Sequence, residues 1–481
     1  MRSRARESEA MVELVKGGKY AWFVLTILGA IYVQNQWSRY SLNYMYAVSA
    51  DDDKESIRAA TDLNAADYGI LTGYGFAGTF CVAGLVAGRL ADIWVRKYII
   101  FLGVLIWNAG MFGIGVSTTF WQLLVFRLVL GAGQAFTNPA SYALIADYFP
   151  EDKRAEANGL FACGVYIGGG VASLCLQMAE SWGWRRTCFL IAFVGFGLAV
   201  VNLFFVREPP RAGKAAPAAV AADALDKPAA ATPTLRDSLR EIFGNNVICV
   251  LFVASSFRFM GGYAIATYLP TFYSTIYPDK TSQYSIINCT VVALGGFLSS
   301  WGGGKVSDMW LKVEPKARLY LPAAGCLLGV PFFCVCVLVP NFYVSIIGGL
   351  FLEYLVAECW FGPIIAVVQS QLSPTSRAQA ISWFTLIANF WSSAYVALLG
   401  WVYDKLLSAG YAASCVRYLV LFATVVPYCI AAALFLFTAS IVSTDASDAP
   451  AREPLLKSSA QQNADPEKAN AVGQPPMLTK A

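Results

Sequence analysis

The sequence predicts an all-α integral membrane protein whose twelve transmembrane helices form two pseudo-symmetric six-helix bundles. Three observations predict this: the composition, the spacing of the apolar runs, and a loop pattern that occurs twice. Of the 481 residues, 57% are hydrophobic and 14% charged, with a mean hydropathy of +0.53. A soluble chain carries about 45–50% apolar and about 25% charged residues. The excess excludes an ordinary soluble enzyme, a disordered scaffold and a secreted disulfide module. The twelve cysteines sit mostly singly inside apolar runs, and the absence of a CxxC pair gives no sign of a zinc ribbon or redox motif. There is no histidine, so any proton chemistry falls to carboxylates.

A bilayer core takes about 20 apolar residues per helix. Twelve such segments follow in order: 20–47, 68–87, 98–117, 121–147, 157–178, 187–206, 246–273, 284–303, 319–339, 342–367, 378–402 and 418–440. The runs are continuously apolar rather than alternating, so they read as helices and not barrel strands. Residues 1–19 are basic and precede a long helix, which does not fit a cleaved signal peptide. Residues 207–245, Ala/Pro-rich and charged, form the expected linker between an N-terminal bundle (20–206) and a C-terminal bundle (246–440). Residues 441–481 are polar and Pro/Ala/Gln-rich, the composition of a disordered tail. With the N-terminus inside, the cytoplasmic pieces hold 25 of the 35 Lys/Arg and the outer loops 7. By the positive-inside rule both termini are therefore expected in the cytoplasm.

The repeat lies in the loops. After the second segment the chain reads Gly88-Arg-Leu-Ala-Asp92-Ile-Trp94-Val-Arg96-Lys97; after the eighth it reads Gly304-Lys-Val-Ser-Asp308-Met-Trp310-Leu-Lys312. The Gly, Asp and Trp recur at an offset of 216. A second echo follows the fourth and tenth segments, where Arg154 and Arg377 are offset by 223. Each half is thus one repeat, as in transporters built from two related bundles around a midplane site. The Gly-[basic]-x-x-Asp-x-x-x-[basic] loop resembles the signature loop of the major facilitator superfamily, over about residues 20–440. The resemblance implies a gate latch in which Gly88, Asp92, Arg96, Lys97, Arg154, Gly304, Asp308, Lys312 and Arg377 hold one conformation and part in the other. It also implies that segments 1, 4, 7 and 10 line a central cavity.

Charge inside a membrane costs about 2.5–3.5 kcal/mol on insertion scales. Five such residues occur in segment interiors, all on those four segments: Arg39, Arg127, Arg258, Glu353 and Glu358. Segment 4 carries Arg127, Gly131, Gln134 and Asn138 on one helical stripe, and segment 1 carries Tyr32, Gln36, Arg39 or Tyr40, and Asn43 on another. Gln36, Arg39, Tyr40, Arg127, Gln134, Asn138, Arg258, Glu353 and Glu358 are the candidate substrate-binding residues. Glu353 and Glu358 are about 140° apart on a regular helix, so one is expected to face the cavity and the other to pair with a neighbouring helix. Arg258 lies at a similar depth, and an ion pair between the halves is expected there. Three arginines against two glutamates leave a net positive site suited to a phosphate or carboxylate.

Several segments further resemble the spinster-like branch, proposed exporters of lipids and organic anions. That branch carries Asp-Arg-Tyr at the end of its first helix, where this chain has Ser38-Arg39-Tyr40. Its fourth helix carries Arg-x-x-x-Gly-x-Gly-Glu, where this chain ends in Gln134. Arg207-Glu-Pro-Pro-Arg211 also fits. Ser38 and Gln134 remove two carboxylates that the branch is thought to use for proton coupling, leaving Glu353 or Glu358 to take that role.

Two other patterns carry no chemistry. Gly73-Tyr-Gly75-Phe-Ala-Gly78 satisfies a dinucleotide fingerprint but lies in an apolar helix and follows no strand, so helix packing explains it. Asn288-Cys-Thr290 meets the glycosylation rule but lies within the eighth segment. The expectation is a non-enzymatic, alternating-access transporter of an amphipathic lipid or organic anion in the plasma or endolysosomal membrane. A small polar solute carrier or a non-transporting sensor are the alternatives. Membrane lipids and a lipid or small-molecule substrate are the expected partners, with protons as a candidate coupling ion; no cofactor, metal or nucleic acid is expected, and the chain is expected to be a monomer.

Overall fold

A computed structural model describes residues 18–48, 56–209, 235–373 and 376–442. Apolar residues facing lipid leave no partner for backbone N–H and C=O groups except within the segment, which dictates helices. Among the described residues twelve long helical segments follow. They are α1 (Lys19–Tyr46), α2 (Ala65–Thr72 continuing as Tyr74–Ile93), α3 (Arg96–Val116), α4 (Phe120–Tyr148), α5 (Glu151–Ala162 continuing as Gly164–Trp182) and α6 (Trp184–Phe205). The second half supplies α7 (Asn246–Ile276), α8 (Thr281–Thr290 continuing to Gly296–Trp310), α9 (Ala317–Leu338), α10 (Val344–Ser370), α11 (Arg377–Ser408) and α12 (Val416–Ile441). Ten of them are long and apolar enough to cross a membrane; α1 and α2 are the other two. In α1 the reason is visible, because Gln34, Asn35, Gln36 and Ser38 are buried among its apolar residues.

The helices assemble as two groups. In the first, α3 packs on α4 and α6, α1 on α5 and α6, and α2 on α4; in the second, α7 packs on α11 and α12, and α9 on α10 and α12. The groups meet along α2–α11, α5–α8 and α1–α7. Small residues make the seam possible. A Cβ added to Gly170 on α5 would lie 2.5 Å from the Cys289 carbonyl oxygen on α8, and one on Gly73 of α2 would strike the Ser393 carbonyl of α11. Backbones this close exclude any side chain but glycine's hydrogen. Nearby, Ser173 Oγ donates to the Ser285 carbonyl at 2.7 Å and Ser285 Oγ to the Ser173 carbonyl at 2.6 Å.

These contacts repeat by the offsets read from the loops. Gly69 and Gly73 shifted by 216 become Ser285 and Cys289, and Gly170 and Ser173 shifted by 223 become Ser393 and Val396. Gly170 meets Cys289 as Gly73 meets Ser393, and Ser173 meets Ser285 as Gly69 meets Val396. The repeat therefore extends from the loops into the middle of α2, α5, α8 and α11.

All of these contacts lie away from the loops that carry the repeated motif. Close backbone approaches between the halves therefore lie at Gly73–Ser393 and Gly170–Cys289.

The linker contains an element that its composition hid. Leu235–Phe243 is a short helix, capped off from α7 by Gly244 and Asn245. Its Glu241 accepts from Ser373 N at 2.8 Å, Ser373 Oγ at 2.9 Å and Ser376 Oγ at 2.5 Å, and Phe243 stacks edge-on against Phe252 and Trp383. The rest of the linker, 210–234, and the tail beyond 442 lie outside the described residues.

Candidate functional site

Two clusters of polar side chains lie buried among the helices, one in each half. In the first half, α1 supplies Gln36, Arg39 and Tyr40, and α4 supplies Arg127, Gln134 and Asn138. Arg127 is 2% exposed; its Nη2 donates to the Arg39 carbonyl oxygen at 2.7 Å, while its Nε and Nη1 are buried without a partner. Arg39 donates to the Tyr263 hydroxyl on α7, the polar link between the halves nearest the cluster. Its guanidinium lies 4.2 Å from the Phe76 ring centroid, 5.5 Å from that of Tyr40 and 5.6 Å from that of Tyr263; Arg127 lies 5.6 Å from Phe76. Among the described residues neither arginine pairs with a carboxylate. The two cations rest on an aromatic platform instead.

Gln134 Nε2 donates to the Asn35 carbonyl at 2.9 Å and to Ser38 Oγ at 3.0 Å, and its Oε1 is unpartnered. Gln36 Oε1 and Asn138 Oδ1 are also buried without a partner, beside the Tyr32 hydroxyl. Unused acceptors on Gln36, Gln134 and Asn138 and unused donors on Arg127 thus occur together on α1 and α4. Unmet buried polar groups are costly in an apolar setting, and a polar ligand would satisfy them.

The second cluster is built differently. Arg258 on α7 is 1% exposed; its Nη2 donates to the Ala357 carbonyl at 2.8 Å and to Glu358 Oε1 at 3.0 Å, and its guanidinium lies 4.3 Å over the Tyr428 ring. The expected ion pair exists but lies within the second half, not between the halves, because α7 and α10 belong to the same bundle. Glu353 is 1% exposed, enclosed by α12, and accepts from the Tyr428 hydroxyl at 2.9 Å. Glu358, with 19% of its side chain exposed, is the one of the two that reaches open space. The helical-wheel expectation of one inward and one paired glutamate does not hold as framed, since the more open Glu358 is also the paired one. The cause is local: the α-helical turn Leu352–Ala357 that carries Glu353 tightens to a 3₁₀ turn at Glu358–Trp360, so the regular helical period does not run from one glutamate to the other.

Of the expected gate residues, Arg96 pairs with Asp147 and donates to the Ala143 carbonyl at 3.3 Å, both in the first half. The Lys97 backbone N–H donates to Glu208 Oε2 at 3.1 Å, and Arg154 Nη2 to the Ala146 carbonyl at 2.9 Å. In the second half Asp308 accepts from Arg318 at 3.1 Å, Arg377 Nε donates to the Leu372 carbonyl at 3.2 Å, Lys312 is exposed and Gly304 faces open space. The side chains at 88 and 92 lie outside the described residues.

Sequence reasoning missed Phe76, Tyr263 and Tyr428, which hold all three arginines. Tyr263 lies five residues beyond Arg258, and Tyr428 on a helix whose one charge, Arg417, is eleven residues away; no spacing rule marks either. Phe76 sits inside the Gly73–Gly78 run, where the glycines draw the eye. That run packs helices: Gly75 abuts Leu124 and Arg127 on α4. Asn288 is buried, donating to the Tyr44 hydroxyl at 2.9 Å, as its place in α8 implied.

Residues 22–397 match the family model described as Major Facilitator Superfamily. The MFS-type efflux pump of Mycolicibacterium smegmatis is 23% identical over 398 residues, 81% of this chain and 86% of its own length. Protein spinster of Drosophila melanogaster is 23% identical over 381 residues, 77% of this chain and 60% of its own. Protein spinster homolog 1 of Xenopus laevis is 25% identical over 337 residues, 66% of this chain and 61% of its own. The chain therefore spans about 60% of the length of these spinster relatives. Among solved structures, a bacterial homologue of the human lysosomal transporter Spinster, inward-facing and occupied, superposes with a TM-score of 0.71 at 22% identity over 89% of this chain and 98% of that one. Its unoccupied form gives 0.69 at 21%. At these identities the likeness speaks to the fold.

Proposed function

Because the chain belongs to the Major Facilitator Superfamily, a family of multi-pass membrane transporters, we propose that it carries an amphipathic organic anion or lipid anion by alternating access. The observation that carries this reading is the Arg39–Arg127 pair: two cations without a carboxylate, two unused N–H donors on Arg127, and an aromatic platform beneath. A guanidinium fork suits a phosphate or carboxylate, and the rings of Phe76, Tyr40 and Tyr263 suit an apolar body beside it. The motif-bearing side is cytoplasmic, a reading supported by the Lys/Arg bias. The conformation described is then inward-facing, with the Gly73–Ser393 and Gly170–Cys289 contacts as the closed outer gate. In that state Arg96 and Asp308 are engaged within their own halves, and the loop residues Gly88, Asp92, Arg96, Lys97, Arg154, Gly304, Asp308, Lys312 and Arg377 act as a latch in the opposite, outward-facing state. The plasma or an endolysosomal membrane is the proposed site of action, in keeping with the spinster resemblance.

The test is uptake into proteoliposomes of purified protein, comparing labelled lysophospholipid with a panel of small anions and sugars, each with and without an inward proton gradient. Uptake of an anionic lipid or organic anion, lost in Arg127→Gln, is the expected result. Uptake of neutral sugars alone would overturn the anion reading in favour of a small polar solute carrier, and no uptake of any probe would favour a non-transporting role.

A further inference from the structure

The second cluster holds more negative charge than its cation meets. Arg258 is the cation between α7 and α10, and its ion pair is with Glu358 at 3.0 Å; among the described residues no cation lies within ion-pair distance of Glu353. Glu353 is nonetheless enclosed, with Oε1 held by one hydrogen bond from Tyr428 and Oε2 buried without a partner. The titratable and charged groups around it are Arg258 from α7, Cys326 and Cys336 from α9, Tyr354 and Glu358 from α10 itself, and Tyr428 from α12. An ionised carboxylate there would face a second carboxylate across a cation already engaged. A buried charge without a partner resolves this by binding a proton.

We propose that Glu353 is a proton-binding site: in this conformation its carboxylate takes one proton from solvent and is neutral, while Arg258 neutralises Glu358. The two glutamates compete for one guanidinium, so the carboxylate that Arg258 does not pair holds the proton. Movement of Arg258 from Glu358 towards Glu353, by a rearrangement of the 3₁₀ turn that carries Glu358, releases that proton and transfers the need for one to Glu358. The site lies outside the Ser38–Gln134 position where the spinster-like branch carries its carboxylates, and it does not depend on which substrate is carried.

Infrared spectroscopy of the purified full chain in lipid nanodiscs tests this without a substrate. At neutral pH the wild type is expected to show a protonated-carboxyl C=O stretch that disappears in Glu353→Gln. Tyr428→Phe removes the hydrogen bond to the same group and is expected to shift that band to higher frequency, a readout available if Glu353→Gln fails to fold. Glu358→Gln frees Arg258 for Glu353 and is expected to abolish the band as well. Absence of a protonated-carboxyl band in the wild type, or a band unchanged in position and size in both Glu353→Gln and Tyr428→Phe, would overturn the proposal. Because no transport is measured, this outcome is separate from failure of the anion-carrier reading.

Discussion

Gln134 Nε2 donates to Ser38 Oγ at 3.0 Å, so the two positions at which this chain lacks the carboxylates of the spinster-like branch face one another inside the first bundle. Both are fully enclosed, and neither side chain titrates. Their bond does what a shared proton between two acids would otherwise do, holding α1 to α4 at this level. The double variant Ser38→Asp with Gln134→Glu would place two carboxylates here beside Arg39 and Arg127. Like charges this close cannot both ionise, so the pair binds a proton. Uptake into proteoliposomes should then gain a dependence on the proton gradient that the wild type lacks through this route. An unchanged gradient dependence in the variant would show that this position cannot couple transport to protons in this fold.

Arg127→Gln removes a buried cation that has no counter-ion, so no carboxylate is stranded and the fold should survive. Hydrogen bonds from charged groups contribute about 1.5–3 kcal/mol each, and the KM for the transported anion should rise about tenfold to a hundredfold. Thermal unfolding should stay close to wild type. A variant that melts much earlier while binding normally would assign Arg127 to the scaffold.

Arg258→Gln should do the reverse. Removing it strands Glu358 at a partly buried site, and breaking a buried pair from one side costs about 3–5 kcal/mol. Its Nη2 also satisfies the Ala357 carbonyl at the start of the 3₁₀ turn. The measurement is a double-mutant cycle on thermal stability, with Glu358→Gln as the second arm. Stability largely restored in the double variant is expected; additive losses would mean that the two residues do not act as a pair.

Much of this architecture is legible in the chain because a bilayer leaves little choice. The ends of α3, α6 and α9 fall within a few residues of their apolar runs, and offsets read from two loops reappear in the contacts of Gly73 with Ser393 and Gly170 with Cys289. The arginines on α1, α4 and α7 were visible because charge in an apolar run is rare. What could not be read was how α10 turns. A 3₁₀ turn at Glu358–Trp360 redirects Glu358, and it leaves no mark in residue type. The Arg258–Glu358 pair was expected across the halves, although α7 and α10 share a bundle. The Leu235–Phe243 helix was hidden for another reason: nine amphipathic residues are diluted by the Ala/Pro-rich stretch before them.

The seam glycines set the balance between conformations. Gly170→Val would drive side-chain atoms into the Cys289 carbonyl, and overpacking of this kind costs about 1–3 kcal/mol. Since it is made only where the outer side is closed, it should shift the population towards the form open on that side by about 5- to 150-fold. Distance measurements between spin labels placed on the outer ends of α5 and α8 would report this. A distance distribution identical to wild type would mean that the α5–α8 approach is not what closes this side. The repeat further implies that Gly73→Val acts in the same direction.

Glu241 ties the linker helix to the start of α11, and its carboxylate shows how firmly. Burial works to raise its pKa, but hydrogen bonds from Ser376 and from the hydroxyl and backbone N–H of Ser373 outweigh this and hold it below the usual glutamate value. A carboxylate whose pKa is lowered in the docked form adds stability that is fully present above its ordinary value and is lost as pH falls through the lowered one. Docking of Leu235–Phe243 should therefore be constant around neutral pH and weaken only in acid. Glu241→Gln keeps the shape but loses the charge on the acceptor, so it should loosen the helix at neutral pH to about the degree that acid does in the wild type. Amide hydrogen exchange over residues 235–243 is the readout. Protection there that is the same in Glu241→Gln and wild type would assign the docking to the Phe243 contacts with Phe252 and Trp383 instead.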